Sequence, residues 1–297
     1  MRTTARPLST WCRRAGLKAA GAIAVLLAVA AAGALTACAP AAPGGSGSRV
    51  AAARATSGPS GSTTATGAPR RVNRPITVVG IGDSVTAGNS CDCDAFSKLY
   101  ATDLASERGL KTSSVNLGVS GWTSSQLLTS LTTPGAFRNQ VAKADILLIT
   151  IGANDLVPLA SRQPGGCTST CYSRSVRSVG HNVALIVAAA RAAQPDHPPT
   201  TLVTTYWNVF EDGEVGTADN GGSFQTWSDI LTRAANAQIC DAARQAGATC
   251  VDLYSPFKGD GSKDPTSRLA SDGDHPNSAG HQLIASALLA DTPLRIP

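Results

Sequence analysis

The sequence predicts an α/β domain built on a five-stranded parallel sheet with helices packed on both faces. Three observations carry that expectation. Five short apolar stretches alternate with segments of helical periodicity through residues 76–297. The strongest of them, around Ile146-Leu147-Leu148-Ile149, is an unbroken apolar run, as strands buried on both faces are. Three stretches also end abruptly in small polar motifs, Gly82-Asp83-Ser84, Gly118-Val119-Ser120-Gly121 and Gly152-Ala153-Asn154-Asp155. Wound sheets bind their ligands beyond the carboxyl ends of the strands, where all three motifs fall.

Taken in order, residues 76–82 form the first strand and break into Gly-Asp-Ser. A helix follows over 95–108, with Phe96, Leu99, Tyr100 and Leu104 at helical spacing. A short strand is expected at 112–117 and a helix at 124–131, and Pro134 opens another short helical turn. The third strand is 144–151. A Gly/Pro/Cys loop over 158–171 leads to a long helix at 172–193. A strand at 200–206, a helix at 224–245, a strand at 249–253 and a closing helix at 277–289 complete the domain. The crossovers between parallel strands should be right-handed.

The residues before position 76 have another character. Arg2, Arg6, Arg13, Arg14 and Lys18 precede an apolar run from 21 to 35, which ends in Leu35-Thr36-Ala37-Cys38. This is the layout of a signal peptide over 1–37, too short and Ala-rich for a permanent membrane span. Leu-Thr-Ala-Cys resembles the lipobox of bacterial lipoproteins, which would make Cys38 the lipidated first residue of an exported, membrane-anchored chain. Ordinary secretory cleavage near Ala37 is the other reading. Arg13-Arg14 also resembles a twin-arginine export signal, so the route stays open. Residues 38–75 are Ala, Gly, Ser, Thr and Pro with five arginines and no acidic residue, a composition suited to a tether.

Charge excludes one class of function. The chain carries +5 overall, but residues 76–297 hold 15 Lys and Arg against 20 Asp and Glu. The folded part is therefore acidic and lacks the basic footprint of a nucleic-acid binder. Its size, about 220 residues, suits a single α/β domain, and a monomer is expected. With Cys12 in the signal and Cys38 lipidated, six cysteines remain: Cys91, Cys93, Cys167, Cys171, Cys240 and Cys250. An even count in an exported chain reads as disulfides. Local pairing (91 with 93, 167 with 171, 240 with 250) is the simplest set, with cross-pairing between the first two loops as the alternative. The spacing does not suit a zinc finger.

Acyl transfer needs a nucleophile, a base, a group that orients the base, and donors for the oxyanion. Ser84 stands at the strand-to-turn junction, where its hydroxyl lies outside the sheet. There is no Gly-x-Ser-x-Gly, so the common nucleophile elbow is absent. His275, in Asp272-Gly273-Asp274-His275-Pro276, lies on a loop ahead of the last helix. Asp272 can fold back across that turn to orient the ring, whereas Asp274 diverges as a sequence neighbour and could cap the helix. Gly121 can present an unobstructed N–H, and Asn154 supplies an amide donor. His181 and His281 fall in helices and His197 in a loop. Trp122, Tyr206, Trp207 and Phe210, near strand ends, are candidates for a cleft wall or for core. Asp260-Gly261-Ser262-Lys263-Asp264 has a superficial calcium-loop look but lacks the full ligand set.

Together, Ser, Gly, Asn and Asp-x-x-His in this order resemble the four blocks of the SGNH hydrolases, also called the GDSL esterase/lipase family. The blocks are Gly82-Asp83-Ser84-Val85, Gly118-Val119-Ser120-Gly121, Gly152-Ala153-Asn154-Asp155 and Asp272-Gly273-Asp274-His275. The resemblance implies a flavodoxin-like three-layer α/β/α sandwich and a serine esterase or lipase that needs no metal or cofactor. Ser84 would be nucleophile, His275 base and Asp272 its partner. Ser84 N–H, Gly121 N–H and the Asn154 amide would form the oxyanion hole. The substrate would be a small-molecule, lipid or acylated-glycan ester. The first block ends in Val85 where the family has Leu, and Cys91-Asp92-Cys93 follows the nucleophile closely enough to shape the acyl pocket. A non-catalytic, tethered carbohydrate- or lipid-binding protein on the same scaffold is the alternative.

Overall fold

The computed structural model describes residues 74–163, 165–294 and 296. The signal segment 1–37, Cys38 and the tether as far as residue 73 lie outside the described residues. The five apolar stretches are five parallel strands: β1 Ile76–Gly82, β2 Thr112–Gly118, β3 Ile146–Thr150, β4 Thr200–Thr204 and β5 Thr249–Val251. The sheet order is β2-β1-β3-β4-β5. The winding direction therefore reverses beside β1, which places the switch point of the sheet at the end of the strand that leads into Ser84. All of β3 is buried, as is all of β1 but Thr77. Edge strand β2 is half exposed, which its Thr-Ser-Ser-Val-Asn sequence tolerates.

Helices α1 Ser84–Ala87, α2 Phe96–Arg108, α3 Ser124–Thr132, α4 Ala136–Val141, α5 Ala153–Arg162, α6 Ser169–Ala193, α7 Gly213–Asn220, α8 Gly222–Gln245, α9 Tyr254–Lys258 and α10 Ser278–Ala290 connect and cover the strands. The core is continuous: Leu147 and Ile149 of β3, Leu202 and Val203 of β4, Val183 and Ile186 of α6, and Leu231 and Ile239 of α8 are all fully buried. No described helix is long and apolar enough to cross a membrane.

The structure departs from expectation in several places. Residues 153–162 are helical where the loop was expected from 158, because Pro158 sits inside α5. The ring forfeits one backbone hydrogen bond, but buried Leu156 and Leu159 anchor the helix on the core. Helix α7, with two glycines and no apolar stripe, gave no periodic signal. Strands β4 and β5 stop earlier than their apolar runs, at Thr204 and Val251, because the following residues turn into loops. Tyr206, Trp207 and Phe210 are buried core residues, Trp207 stacking on Phe257 at 4.3 Å, so they do not wall an open cleft. Arg74 closes the start of the domain, making paired bonds of 2.6 Å to Asp145, whose Oδ2 also accepts from Thr77 N–H. The structure pairs Cys91 with Cys93, Cys167 with Cys171 and Cys240 with Cys250.

Candidate active site

Strand register assembles the site. Gly82 at the end of β1 lies opposite Gly118 of β2 and Thr150 of β3. Ser84, Gly121 and Asn154 follow those three partners by two to four residues, so all three emerge at one edge of the sheet. Gly82 has no room for a side chain, since a Cβ would meet Thr150 O at 2.0 Å. That close approach lets the Asp83 N–H reach Thr150 O and tie the turn to β3.

Ser84 is the first residue of α1 and half-buried. Asp83 caps that helix, accepting from Val85 N–H at 3.1 Å, and takes a second, short hydrogen bond from the Tyr206 hydroxyl. Asp83 is 1% exposed. Burial pushes its carboxyl up to about 7, against the pull of the Tyr206 and Val85 donors; the charge of Asp274 adds to the rise and that of His275 opposes it. Nothing in the sequence links Tyr206 to Asp83, which is 123 positions away. Only the adjacency of the β1 and β4 loops does.

Gly121 lies in a tight turn in which Val119 N–H bonds Gly82 O and Trp122 N–H bonds Val119 O. Its φ of 79° is left-handed, and a Cβ there would project into open space. Glycine therefore serves both the turn and the clearance in front of it. Among the described residues, neither the Ser84 N–H nor the Gly121 N–H has a hydrogen-bond partner. Asn154, in the first turn of α5, donates from Nδ2 to Trp122 O at 3.0 Å, which leaves its second Nδ2 hydrogen free. Asn89 Nδ2 bonds Ser120 Oγ at 2.7 Å, joining the nucleophile loop to the Gly121 loop.

The Asp272–His275 turn is held from three directions. Asp272 Oδ1 accepts the backbone N–H groups of Asp274 and His275 at 3.0 Å each, and Oδ2 lies 2.8 Å from His275 Nδ1. The Ala270 and Gly273 N–H groups bond His275 O and Ala270 O, and Asp212 N–H bonds Gly273 O. Asp274 Oδ2 is 3.9 Å from the same Nδ1, so Asp272 is the nearer carboxylate. The helix cap at this point is Asn277, which accepts from Gly280 N–H. Burial raises the Asp272 carboxyl, yet hydrogen bonds from His275, Ser90 and the backbone hold it well below the usual range. For His275, burial opposes the charged ring, but the Asp272 hydrogen bond and the charges of Asp274, Asp272 and Asp83 outweigh it and raise the pKa. No hydrogen bond joins His275 to Ser84 Oγ among the described residues; the ring's side-chain bond is the one to Asp272.

The other candidates fall elsewhere. His181 and His197 are exposed, and His281 is buried in α10, its Nδ1 accepting from Phe96 N–H at 3.2 Å. Cys91, Cys93 and His281 form the one potential metal-ligand cluster among the described residues, but its sulfurs are joined to each other. Trp122 is half-buried and tilts against Phe137 at 5.5 Å. Asp260 turns back on Ser262 N–H. A cavity of about 660 Å³ lined by Asp212, Asp229, Lys258 and Asp264 takes in part of the 260–264 loop but none of the candidate catalytic residues. Within it Lys258 is buried, 2.7 Å from Asp212 and 3.1 Å from Asp229.

Residues 81–283 match the model of the GDSL-like lipase/acylhydrolase family. No curated protein sequence matches the chain significantly. Among solved structures, a lipase from a goat rumen metagenome aligns with a TM-score of 0.63 at 19% identity, covering 75% of this chain and all of the other. A protein described as a GDSL-like lipase from Parabacteroides merdae gives 0.53 at 19% identity, over 75% and 97% of the two chains. A variant of an acetyl-xylooligosaccharide esterase from Geobacillus stearothermophilus gives 0.52 at 18% identity, over 74% and 94%. At these identities the likeness is one of fold.

Proposed function

The chain belongs to the GDSL-like lipase/acylhydrolase family, a family of ester hydrolases, and from that premise we propose that it cleaves carboxylic esters through an acyl-enzyme on Ser84. One observation carries the reading. Unpartnered N–H groups of Ser84 and Gly121 and a free amide hydrogen of Asn154 lie at the ends of three strands in register, and the same chain carries a braced Asp272–His275 pair.

Ser84 Oγ attacks the ester carbonyl as His275 Nε2 takes its proton. Asp272 holds Nδ1–H and keeps the opposite nitrogen free to accept. Negative charge develops on the carbonyl oxygen, where the Ser84 and Gly121 N–H groups and the Asn154 amide receive it. His275 returns the proton to the departing alkoxide. Water, deprotonated by the same ring, then attacks the acyl-enzyme and releases the acid. Every step uses groups of this chain.

The remaining parts of the proposal concern the rest of the chain. Residues 1–37 are a signal peptide, Cys38 is lipidated, and 38–75 tethers a monomeric catalytic domain at the outer face of a membrane. Loss of membrane retention in Cys38→Ala, with activity recovered in the medium, tests the anchor. For the chemistry, Ser84→Ala should abolish hydrolysis of p-nitrophenyl acetate while leaving the far-UV circular dichroism unchanged. Full activity in that variant overturns the assignment.

A further inference from the structure

Asp155, next to Asn154 in α5, has no part in the chemistry above, yet its surroundings are built around it. Its Oδ2 accepts from Ser124 N–H at 2.8 Å and its Oδ1 from Ser124 Oγ at 2.6 Å. Asn182 of α6 donates to the same Ser124 Oγ at 2.8 Å. Ser124 is fully buried at the start of α3, two residues after Trp122 and three after Gly121. Asn154, meanwhile, holds Trp122 O. Two adjacent side chains of α5 thus grip the 119–124 segment at two points, one on each side of Thr123.

We infer that Asp155 is a positioning residue that fixes the two loop-borne oxyanion donors, Gly121 N–H and the Asn154 amide, in a single register. The inference rests on the acyl-transfer reading and assigns Asp155 and Ser124 a role in it. The physical reason is the sharp demand on donor placement. An oxyanion donor acts only when it lies near the position the oxygen will take in the transition state. The Gly121 turn has a left-handed residue at its tip and no side chain to pack there. Its position must be set by what holds its flanks. The Asp155 carboxylate accepts both a backbone N–H and a hydroxyl from one residue, a paired arrangement with more geometric definition than a single bond. An alanine at 155 would strip Ser124 of both and free the segment to shift against α5. Asn154 would then keep its bond to Trp122 O only by moving with the loop, so both donors would be lost together.

A double-mutant cycle in kcat tests this, since groups that act as one unit give strongly non-additive losses. On p-nitrophenyl acetate, Asn154→Ala should lower kcat by about 10²–10³. Asp155→Ala, which releases both donors, should cost at least that factor, about 10³ by the same measure, with KM little changed. The double variant should be no slower than Asp155→Ala alone. Ser124→Ala, which keeps the backbone bond and loses the hydroxyl, should fall between wild type and Asp155→Ala. It also serves as the readout if Asp155→Ala does not fold, and wild-type kcat in it then counts against the clamp. Losses that multiply in the double variant, or wild-type kcat in Asp155→Ala, overturn the inference. Unchanged kcat in Asn154→Ala instead removes the oxyanion reading itself, so the two failures are distinguishable.

Discussion

Replacing Asp272 by Asn preserves the side chain's shape and removes one acceptor. Oδ1 of Asp272 already serves two backbone N–H groups, and Oδ2 faces His275 Nδ1 at 2.8 Å. Asparagine keeps its oxygen on the backbone pair and must turn its NH₂ toward the ring. Nδ1 then has to accept, the ring proton moves to Nε2, and the nitrogen meant to receive the Ser84 proton is already occupied. In serine hydrolases generally, a wrong tautomer of this kind costs about 10⁴ in kcat, or about 5.5 kcal/mol of barrier. KM should barely move, because the change touches no substrate contact. A second signature lies in the pH profile. Burial lowers the His275 pKa, but the Asp272 hydrogen bond and neighbouring carboxylates lift it above 6.5. Activity requires the neutral ring, so kcat/KM in the wild type should fall as pH drops through a midpoint above 6.5. In Asp272→Asn the residual activity should show that limb at lower pH. Stopped-flow hydrolysis of p-nitrophenyl acetate from pH 5 to 9 measures both. A kcat within tenfold of wild type, or an unmoved acid limb, refutes the reasoning.

Two further expectations concern stability. Lys258→Ala leaves the buried Asp212 carboxylate without its cation. Unpairing a buried charge costs about 3–5 kcal/mol, read as a fall in Tm of about 10 °C for a domain this size. Denaturant melts should show it, and a loss below about 1 kcal/mol contradicts the assignment. His281 is fully buried, and burial, then the charge of His275, lowers its pKa from 6.5 to about 4. The unfolded chain therefore binds the extra proton between those values, and this group's stabilisation is present above pH 6.5 and lost as pH falls toward 4. His281→Asn should remove up to about 3 kcal/mol of that acid sensitivity. Asp83, raised to about 7 by burial, titrates in the opposite sense, so the comparison is between variant and wild-type slopes. Parallel slopes between pH 6.5 and 4 count against the claim.

What was legible in the sequence was whatever local pattern determines. The buried runs of β1 and β3 left no alternative to interior strands, and each broke into its motif where the structure ends the strand. The Asp-x-x-His spacing foretold a turn that folds back on the ring, because three residues suffice for it. Helix α5 was partly hidden by Pro158, whose cost is met by the burial of Leu156 and Leu159, a tertiary matter. Helix α7 carries no apolar stripe, and its register depends on Asp212 and on the loop carrying Gly273. The Tyr206 bond to Asp83 and the grip of Asp155 on Ser124 join residues 123 and 31 positions apart. No periodicity encodes such contacts. Tyr206 and Trp207 could not be sorted between cleft and core, since an aromatic at a strand end is compatible with both until the helices above it are placed.

The most direct measurement is covalent: react the purified protein with a fluorophosphonate, then determine adduct mass and position by peptide mapping. A serine made nucleophilic by its imidazole neighbour takes one phosphonyl group, at Ser84, and Ser84→Ala takes none, while His275→Ala reacts far more slowly. An unlabelled wild-type chain, or an adduct on another residue that persists in Ser84→Ala, contradicts the account.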